Sequence, residues 1–254
     1  MTLILTELTP FGIAMAADSA VTFTHPTTGY SFVQPNAAAK LQSIPSLNAG
    51  VSCWGIGAIE DAPTDEWLAA FILQNAHVPS IGAFAAALAS ALQDAVGPSE
   101  EGIPRLGFHV AGFETYEGQP LPSFYHVHDG PSTTLAMRGI SVDPHLVNAN
   151  HDMPPAEYLN QVVAGGGWIT RNGDYQLYGQ LFGLLEQFFG HVGQLGIAIP
   201  NSQNLLDRAQ YLIFQIRTVS HIYRLSNLVP GIGGPITYLT ISPGGIEDEG
   251  VSYH

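Results

Sequence analysis

Residues 1–22, MTLILTELTPFGIAMAADSAVT, and residues 36–44, NAAAKLQSI, decide how this chain is read. Thr2 to Thr9 is β-rich and loosely alternating, Pro10, Phe11 and Gly12 make a turn, and Ile13 to Ala17 reads as a second strand. Together they predict a β-hairpin. Its second arm carries Ala14, Ala16 and Ala17, which let another layer approach closely. Asp18 falls at the end of that arm. Lys40, which opens the next apolar strand, is the only lysine in 254 residues.

A hydroxyl, a carboxylate and a solitary ammonium thus stand at the ends of predicted strands. A Thr hydroxyl is a weak nucleophile until a base takes its proton. If Met1 is removed, Thr2 carries its own base, an α-amine whose reference pKa of about 7.7–8.0 lies near working pH. A neighbouring ammonium favours the neutral form of that amine. This is the role expected of Lys40, with Asp18 paired to it and holding it in place. Each residue alone has a plainer reading: Thr2 a mere second residue, Asp18 a turn cap, Lys40 a surface lysine. Their combination within one strand context points to nucleophilic chemistry.

GIAMAADSAVT (12–22), KLQSI (40–44) and AGVSCWGIGAIEDA (49–62) resemble, in that order, the opening of proteasome β subunits and their bacterial relatives in the N-terminal-nucleophile hydrolase superfamily. Later segments continue the likeness. RLGFHVAGFETYEGQPLPSFYHVHDG (105–130) resembles the family's central strand pair, VVAGGGW (162–168) its Gly-Ser-Gly turn, and GIGGPITYLTISPGGI (231–246) its closing hairpin. The resemblance implies an α+β fold, a four-layer αββα sandwich. It maps Thr2, Asp18 and Lys40 onto the family's nucleophile, acid and lysine. It implies an oxyanion donor at the backbone N–H of Gly55, with Gly57 as the alternative. The implied substrate is a peptide or protein, and the implied assembly a homo-oligomeric ring or stack; a regulatory ATPase partner stays open. Three departures matter. Gly165, Gly166 and Gly167 leave no hydroxyl in the turn. Ile232, in SNLVPGIGG, stands where the family has a Ser. Ser226 and Asn227 are only displaced substitutes. These losses fit a divergent branch, such as Anbu-like proteins or the peptide-transferring connectases. They also leave a catalytically silent assembly subunit as an alternative.

The remaining pattern fits one domain spanning 1–254. Residues 23–39 read as a Thr/Pro/Gly loop. Lys40–Ile44 and Ala49–Trp54 read as a hairpin turning at Pro45 and Asn48. Asp61 or Thr64 is placed to cap a helix with the stripe Trp67, Leu68, Phe71 and Ile72. A second helix is predicted over Ser80–Val96, then strands Leu106–Glu114 and Ser123–His128 joined by a Gly-Pro loop. Segment 129–160 reads as irregular, with one strand near Thr134–Met137. Helices over Tyr175–Gly193 and Asn201–Asn227 follow, the latter striped by Leu205, Leu206, Ala209, Leu212, Ile213, Ile216 and Val219. A hairpin, Ile236–Ser242 and Ile246–Tyr253, closes the chain. Paired helices and antiparallel strand neighbours are not the alternation of a parallel sheet.

Composition excludes several classes. With 21 acidic against 7 basic residues and a net charge of −14, neither nucleic acid nor an anionic membrane surface is an expected partner. Hydrophobic residues make up 46% and charged ones 11%, which argues against disorder. No run approaches the roughly 18 apolar residues of a membrane helix. AMAAD contains an A-x-A site, but there is no basic n-region and Glu7 and Pro10 interrupt the apolar run, so no signal peptide is expected. A lone Cys53, expected to be a buried apolar side chain, suits a reducing compartment, and a cytoplasmic location is expected. His126 and His128 lie two apart on one strand face, with His109 the only third ligand in view, so no metal is expected. His145 and His151 read as loop residues. The glycines at 165–167 are not followed by the Lys-Ser/Thr of a phosphate loop, and no cofactor is expected. Phe182, Phe188 and Phe189 read as core or subunit interface.

Overall fold

Strands β1 (Leu3–Thr9) and β2 (Gly12–Asp18) form the hairpin read from the sequence, and every residue of both is buried. The computed structural model describes residues 2–25, 27–99, 103–130, 146–173, 175–197, 204–227, 229 and 231–253. Such burial follows from apolar side chains on both faces. Leu3, Leu5, Ala14 and Ala16 pack toward a helix, while Ile4, Leu8, Ile13, Met15 and Ala17 pack toward a second sheet. Successive side chains of a strand point to opposite faces, so each face meets its own layer.

Two further hairpins flank the first. β3 (Val21–Thr24) pairs with β4 (Ser31–Gln34) as a separate two-stranded sheet, where the sequence reading placed only a loop. VTFT and SFVQ are short alternating runs, and the Thr/Pro/Gly stretch between them hid the pairing. β5 (Leu41–Ile44) and β6 (Ala49–Gly55) are the expected Lys40–Trp54 hairpin, with Asn48 in the left-handed region at its turn. A small hairpin, β7 (Ala58–Ile59) and β8 (Ala62–Pro63), leads into helix α1 (Thr64–Gln74). Neither Asp61 nor Thr64 caps it through a side chain: the residue before the helix is Pro63, and the Thr64 hydroxyl donates to the Ile56 carbonyl. Helix α2 (Ile81–Ala95) is capped by Ser80, whose hydroxyl accepts from the Ala83 N–H.

β9 (Leu106–Tyr116) and β10 (Gln119–His128) are longer than expected and turn tightly at Glu117 and Gly118, both with positive φ. Pro120 and Pro122 therefore lie within a strand. They fall on the stretch of β10 that β11 (Asn148–Met153) does not reach, where no second neighbour needs their N–H. β11 and the short helix α3 (Pro155–Tyr158), which continues into a wider turn over Leu159–Val163, occupy part of the segment read as irregular. The strand expected near Thr134–Met137 lies outside the described residues. β12 (Trp168–Gly173) was also unforeseen: WITRNG has two adjacent apolar residues and then a polar run with no alternation, yet it pairs antiparallel with β1 from Leu3↔Gly173 to Leu8↔Trp168. Helix α4 (Tyr175–Gln194), helix α5 (Leu205–Leu225) and the hairpin β13 (Ile236–Ser242) with β14 (Gly245–Ser252) match the reading closely. Leu206 is the exception in the α5 stripe, being exposed.

One five-stranded sheet runs β12-β1-β2-β13-β14 and the other β11-β10-β9-β6-β5. Ile4, Met15, Leu239 and Ile241 of the first and Leu41, Ala111 and Phe124 of the second share one core between the sheets. Ala209, Leu212, Ile216 and Val219 of α5 cover the other face of the first sheet. Phe84, Leu88 and Leu92 of α2, with Leu68 and Phe71 of α1, cover Val51, Phe108 and Val110 of the second. The chain is thus a mixed α/β fold with helices outside facing sheets. Among the described residues no helix is long and apolar enough to cross a membrane.

Candidate functional site

Asp18 ends β2 inside the molecule, where an unpaired carboxylate would be costly. Each of its oxygens takes two donors. Oδ1 accepts the Leu3 N–H at 2.9 Å and the Lys40 ammonium at 2.9 Å. Oδ2 accepts the N–H groups of Ala20 and Gly233, both at 3.2 Å. Lys40 is itself only 5% exposed, and its ammonium also donates to the Ala20 carbonyl at 2.5 Å. One carboxylate oxygen therefore joins the amide just after Thr2 to the chain's single lysine.

Thr2, Lys40, Cys53, Trp54, Gly55 and Gly57 line one cavity of about 470 Å³. Its walls include two runs of consecutive residues, Val21–Phe23 and Cys53–Ala58, with Asp65 and the apolar Ala37, Ala38 and Pro63. Of the sequence-predicted residues, Thr2, Lys40 and both candidate glycines meet at this cavity. Asp18 is held against Lys40.

Gly55 has φ +103°, a conformation L side chains rarely adopt, and a Cβ there would collide with the Arg105 carbonyl and lie 2.5 Å from Leu106 Cα. Gly57 meets nothing within 4 Å and its φ is ordinary. The turn at Gly55 is fastened by the Ile56 N–H, which donates to the Arg105 carbonyl at 3.1 Å. Arg105 is in turn fixed by buried Asp129. One oxygen of Asp129 accepts the N–H groups of Arg105 and Leu106 at 2.8 and 3.1 Å, and the other the Arg105 Nε at 2.7 Å.

Sequence reasoning missed Arg105, Asp129, Gly173 and Gly233. Gly173, with φ +126°, sits so close to the Thr2 carbonyl that no side chain fits. Gly233 donates to Asp18 and accepts from the Ser19 and Ala20 N–H groups. Its signal was in the sequence, as part of the closing Gly-Gly, but spacing alone assigns it no partner.

None of the described histidines lines this cavity. His109 is wholly buried, its Nδ1 2.9 Å from the Thr6 hydroxyl and its Nε2 2.7 Å from Asn172 Oδ1, so it bridges the two sheets with both ring nitrogens engaged. Burial pulls its pKa down from 6.5 to about 4. Burial likewise lowers His126, well below its usual value, and His128. His128 Nδ1 accepts the Gly130 N–H, and its Nε2 lies 2.8 Å from Asn150 Nδ2. Among the described residues no group of three or more His, Cys, Asp or Glu is arranged to hold a metal. His145 lies outside the described residues. His151 is on β11 rather than in a loop: its ring stacks on Tyr125 at 4.0 Å, with Nε2 2.6 Å from Ser123 Oγ and 3.6 Å from Glu114 Oε2. The same nitrogen faces serine and carboxylate, so this trio is not a relay, and Ser123 is fully buried. Cys53 is buried, and burial pushes its thiol up to about 12. Phe182 and Phe189 are buried, while Phe188 is exposed.

Two facing sheets with helices outside them place the buried Asp18–Lys40 pair beside the cavity that Thr2 lines. The chain is similar in structure to an Anbu Gly-1 mutant from Hyphomicrobium sp. strain MC1, with a TM-score of 0.51 and 12% identity, over 99% of this chain and 87% of that one. At that identity the likeness is one of fold. No family model and no curated protein matches the sequence.

Proposed function

We propose that this chain is a threonine-type N-terminal-nucleophile hydrolase acting on peptide or amide bonds, a single domain whose stacked layers form a four-layer αββα sandwich. The reading rests on one observation above all: Asp18 Oδ1 accepts from both the Leu3 N–H and the Lys40 ammonium, beside a cavity that Thr2 and Lys40 both line. With Met1 removed, the Thr2 α-amine takes the proton from the Thr2 hydroxyl as its oxygen bonds to the substrate carbonyl carbon. Lys40, fixed by Asp18 and the Ala20 carbonyl, keeps that amine deprotonated beforehand. The backbone N–H at Gly55 holds the oxyanion. The intermediate collapses by expelling the amine half of the substrate, which leaves with the proton, and an ester on Thr2 remains. Water, or a second amine as in a ligase of connectase type, then attacks that ester and frees Thr2. The assembly is a homo-oligomer in the cytoplasm.

A catalytically silent assembly subunit is the second reading. It is favoured by Ile232, buried where the resembled family has a Ser, and by the hydroxyl-free glycines 165–167. Intact-mass measurement after treatment with a threonine-directed β-lactone separates the two. The enzyme gains one inhibitor mass at an N-terminal Thr2, and Thr2→Ala gains none. Protein whose N-terminal sequencing starts at Thr2 but which takes no label would leave the silent reading.

A further inference from the structure

Among the described residues the β3–β4 hairpin belongs to neither large sheet, and its two strands pair only with each other. Phe23 and Phe32 face one another across it, their rings stacked at 5.2 Å and 18°. Both are substantially exposed, 42% and 49%, and Tyr30 beside them is 69% exposed. Phe23 also forms part of the cavity wall. Residues 19–39 contain no Asp, Glu, Lys or Arg in a chain of net charge −14. An uncharged aromatic shelf therefore continues outward from the cavity in which Thr2 sits.

The shelf is firmly rooted. Ser19 and Ala20 donate to the Gly233 carbonyl, and Ala37 and Ala38 both donate to the Ser19 carbonyl, so entry and exit of the hairpin are tied together. The Ala20 carbonyl at its base is the second acceptor of Lys40. Exposed aromatics on a fixed two-stranded base offer rigid apolar area at little entropic cost to a ligand. A solvent-facing stack with no such role would leave apolar surface in water to no advantage.

We propose that Phe23 and Phe32 form an apolar subsite outside the Thr2 cavity, which receives an aromatic or branched aliphatic side chain of an extended peptide whose reactive carbonyl lies at Thr2. This deepens the proposed function and rests on its placement of substrate at the Thr2 cavity. Phe32 does not line the cavity, so it acts on specificity alone. The hairpin itself carries no Asp, Glu, Lys or Arg, which suits apolar segments, and the acidic remainder of the chain, Asp65 in the cavity wall included, disfavours acidic ones.

The test is equilibrium binding of unreactive, end-blocked extended peptides that differ only in one outer residue, Phe, Leu or Ser, measured by calorimetry on the full-length protein. Thr2→Ala is run in parallel, so the readout does not need chemistry at Thr2. The Phe and Leu peptides are expected to bind about tenfold tighter than the Ser peptide. Phe32→Ala should erase most of that ratio and Phe32→Leu only part of it, with the Ser peptide unaffected. A ratio unchanged in Phe32→Ala overturns the subsite. If Phe32→Ala instead shifts the oligomeric state on size exclusion with the ratio unchanged, the aromatics are a contact between copies and the proposal fails. Labelling of Thr2 by a one-residue β-lactone reports separately on the underlying enzyme reading: its loss with the peptide ratio intact would sink the hydrolase, not the subsite.

Discussion

Replacing Asp18 by Asn changes almost no volume but removes one acceptor oxygen from a group that now serves four donors. Oδ1 faces the Leu3 N–H and the Lys40 ammonium, and Oδ2 faces the N–H groups of Ala20 and Gly233. Whichever way the Asn amide turns, its NH₂ meets two donors. Lys40, 5% exposed, loses its charged partner and retains the Ala20 carbonyl as an acceptor. Breaking a buried pair by removing one member costs about 3–5 kcal/mol. For a chain of this size each kcal/mol moves the melting temperature by about 2–4 °C, so the Asp18→Asn transition should fall by roughly 6–20 °C. Lys40→Met should cost less, because the Asp18 carboxylate still accepts three backbone N–H groups. The double variant should be less destabilised than the singles added together, by about 1–3 kcal/mol. Scanning calorimetry at fixed protein concentration measures all three. A drop of under about 2 °C for Asp18→Asn, or a larger loss in Lys40→Met than in Asp18→Asn, would refute the reasoning.

Gly55→Ala places a side chain at φ +103° against the Arg105 carbonyl; it should lower stability by about 1–3 kcal/mol and abolish labelling at Thr2, read by thermal melt and intact mass. Asp129→Ala removes three hydrogen bonds that fix Arg105 and Leu106 beneath the Gly55 turn; acylation of Thr2 should slow severalfold with the affinity for unreactive peptide little changed, as kinetic labelling and calorimetry will report. His109 is held neutral in the fold, with its pKa lowered from 6.5 to about 4, so the unfolded chain binds the extra proton between those values. Stability should be complete above about pH 6.5 and lost progressively as pH falls toward 4, by up to about 3 kcal/mol. His126 and His128 act in the same direction. Denaturant titrations at several pH values should show a shallower acid limb in His109→Gln; an unchanged slope would remove His109 as the cause.

The sequence by itself determined the elements whose burial pattern is local. The β1–β2 hairpin, α2, α5 and the closing hairpin were legible because apolar periodicity and turn residues lie within a few positions of one another. Thr2, Asp18 and Lys40 could be singled out because they stand at the ends of predicted strands, and the structure pairs Asp18 with Lys40. β12 was not, because Trp168–Gly173 is a strand only through pairing with β1, far away in sequence. The β3–β4 hairpin was hidden by the Thr/Pro/Gly stretch between its arms. Only the tertiary structure decided which donors reach Asp18: Gly233 is 215 positions away, and its N–H is aimed by the β2–β13 pairing. The same holds for His109, whose bridge to Thr6 and Asn172 exists because two sheets face each other. Periodicity reports which side of a strand is apolar, but hydrogen bonds between distant segments are fixed by packing, and no local pattern encodes them.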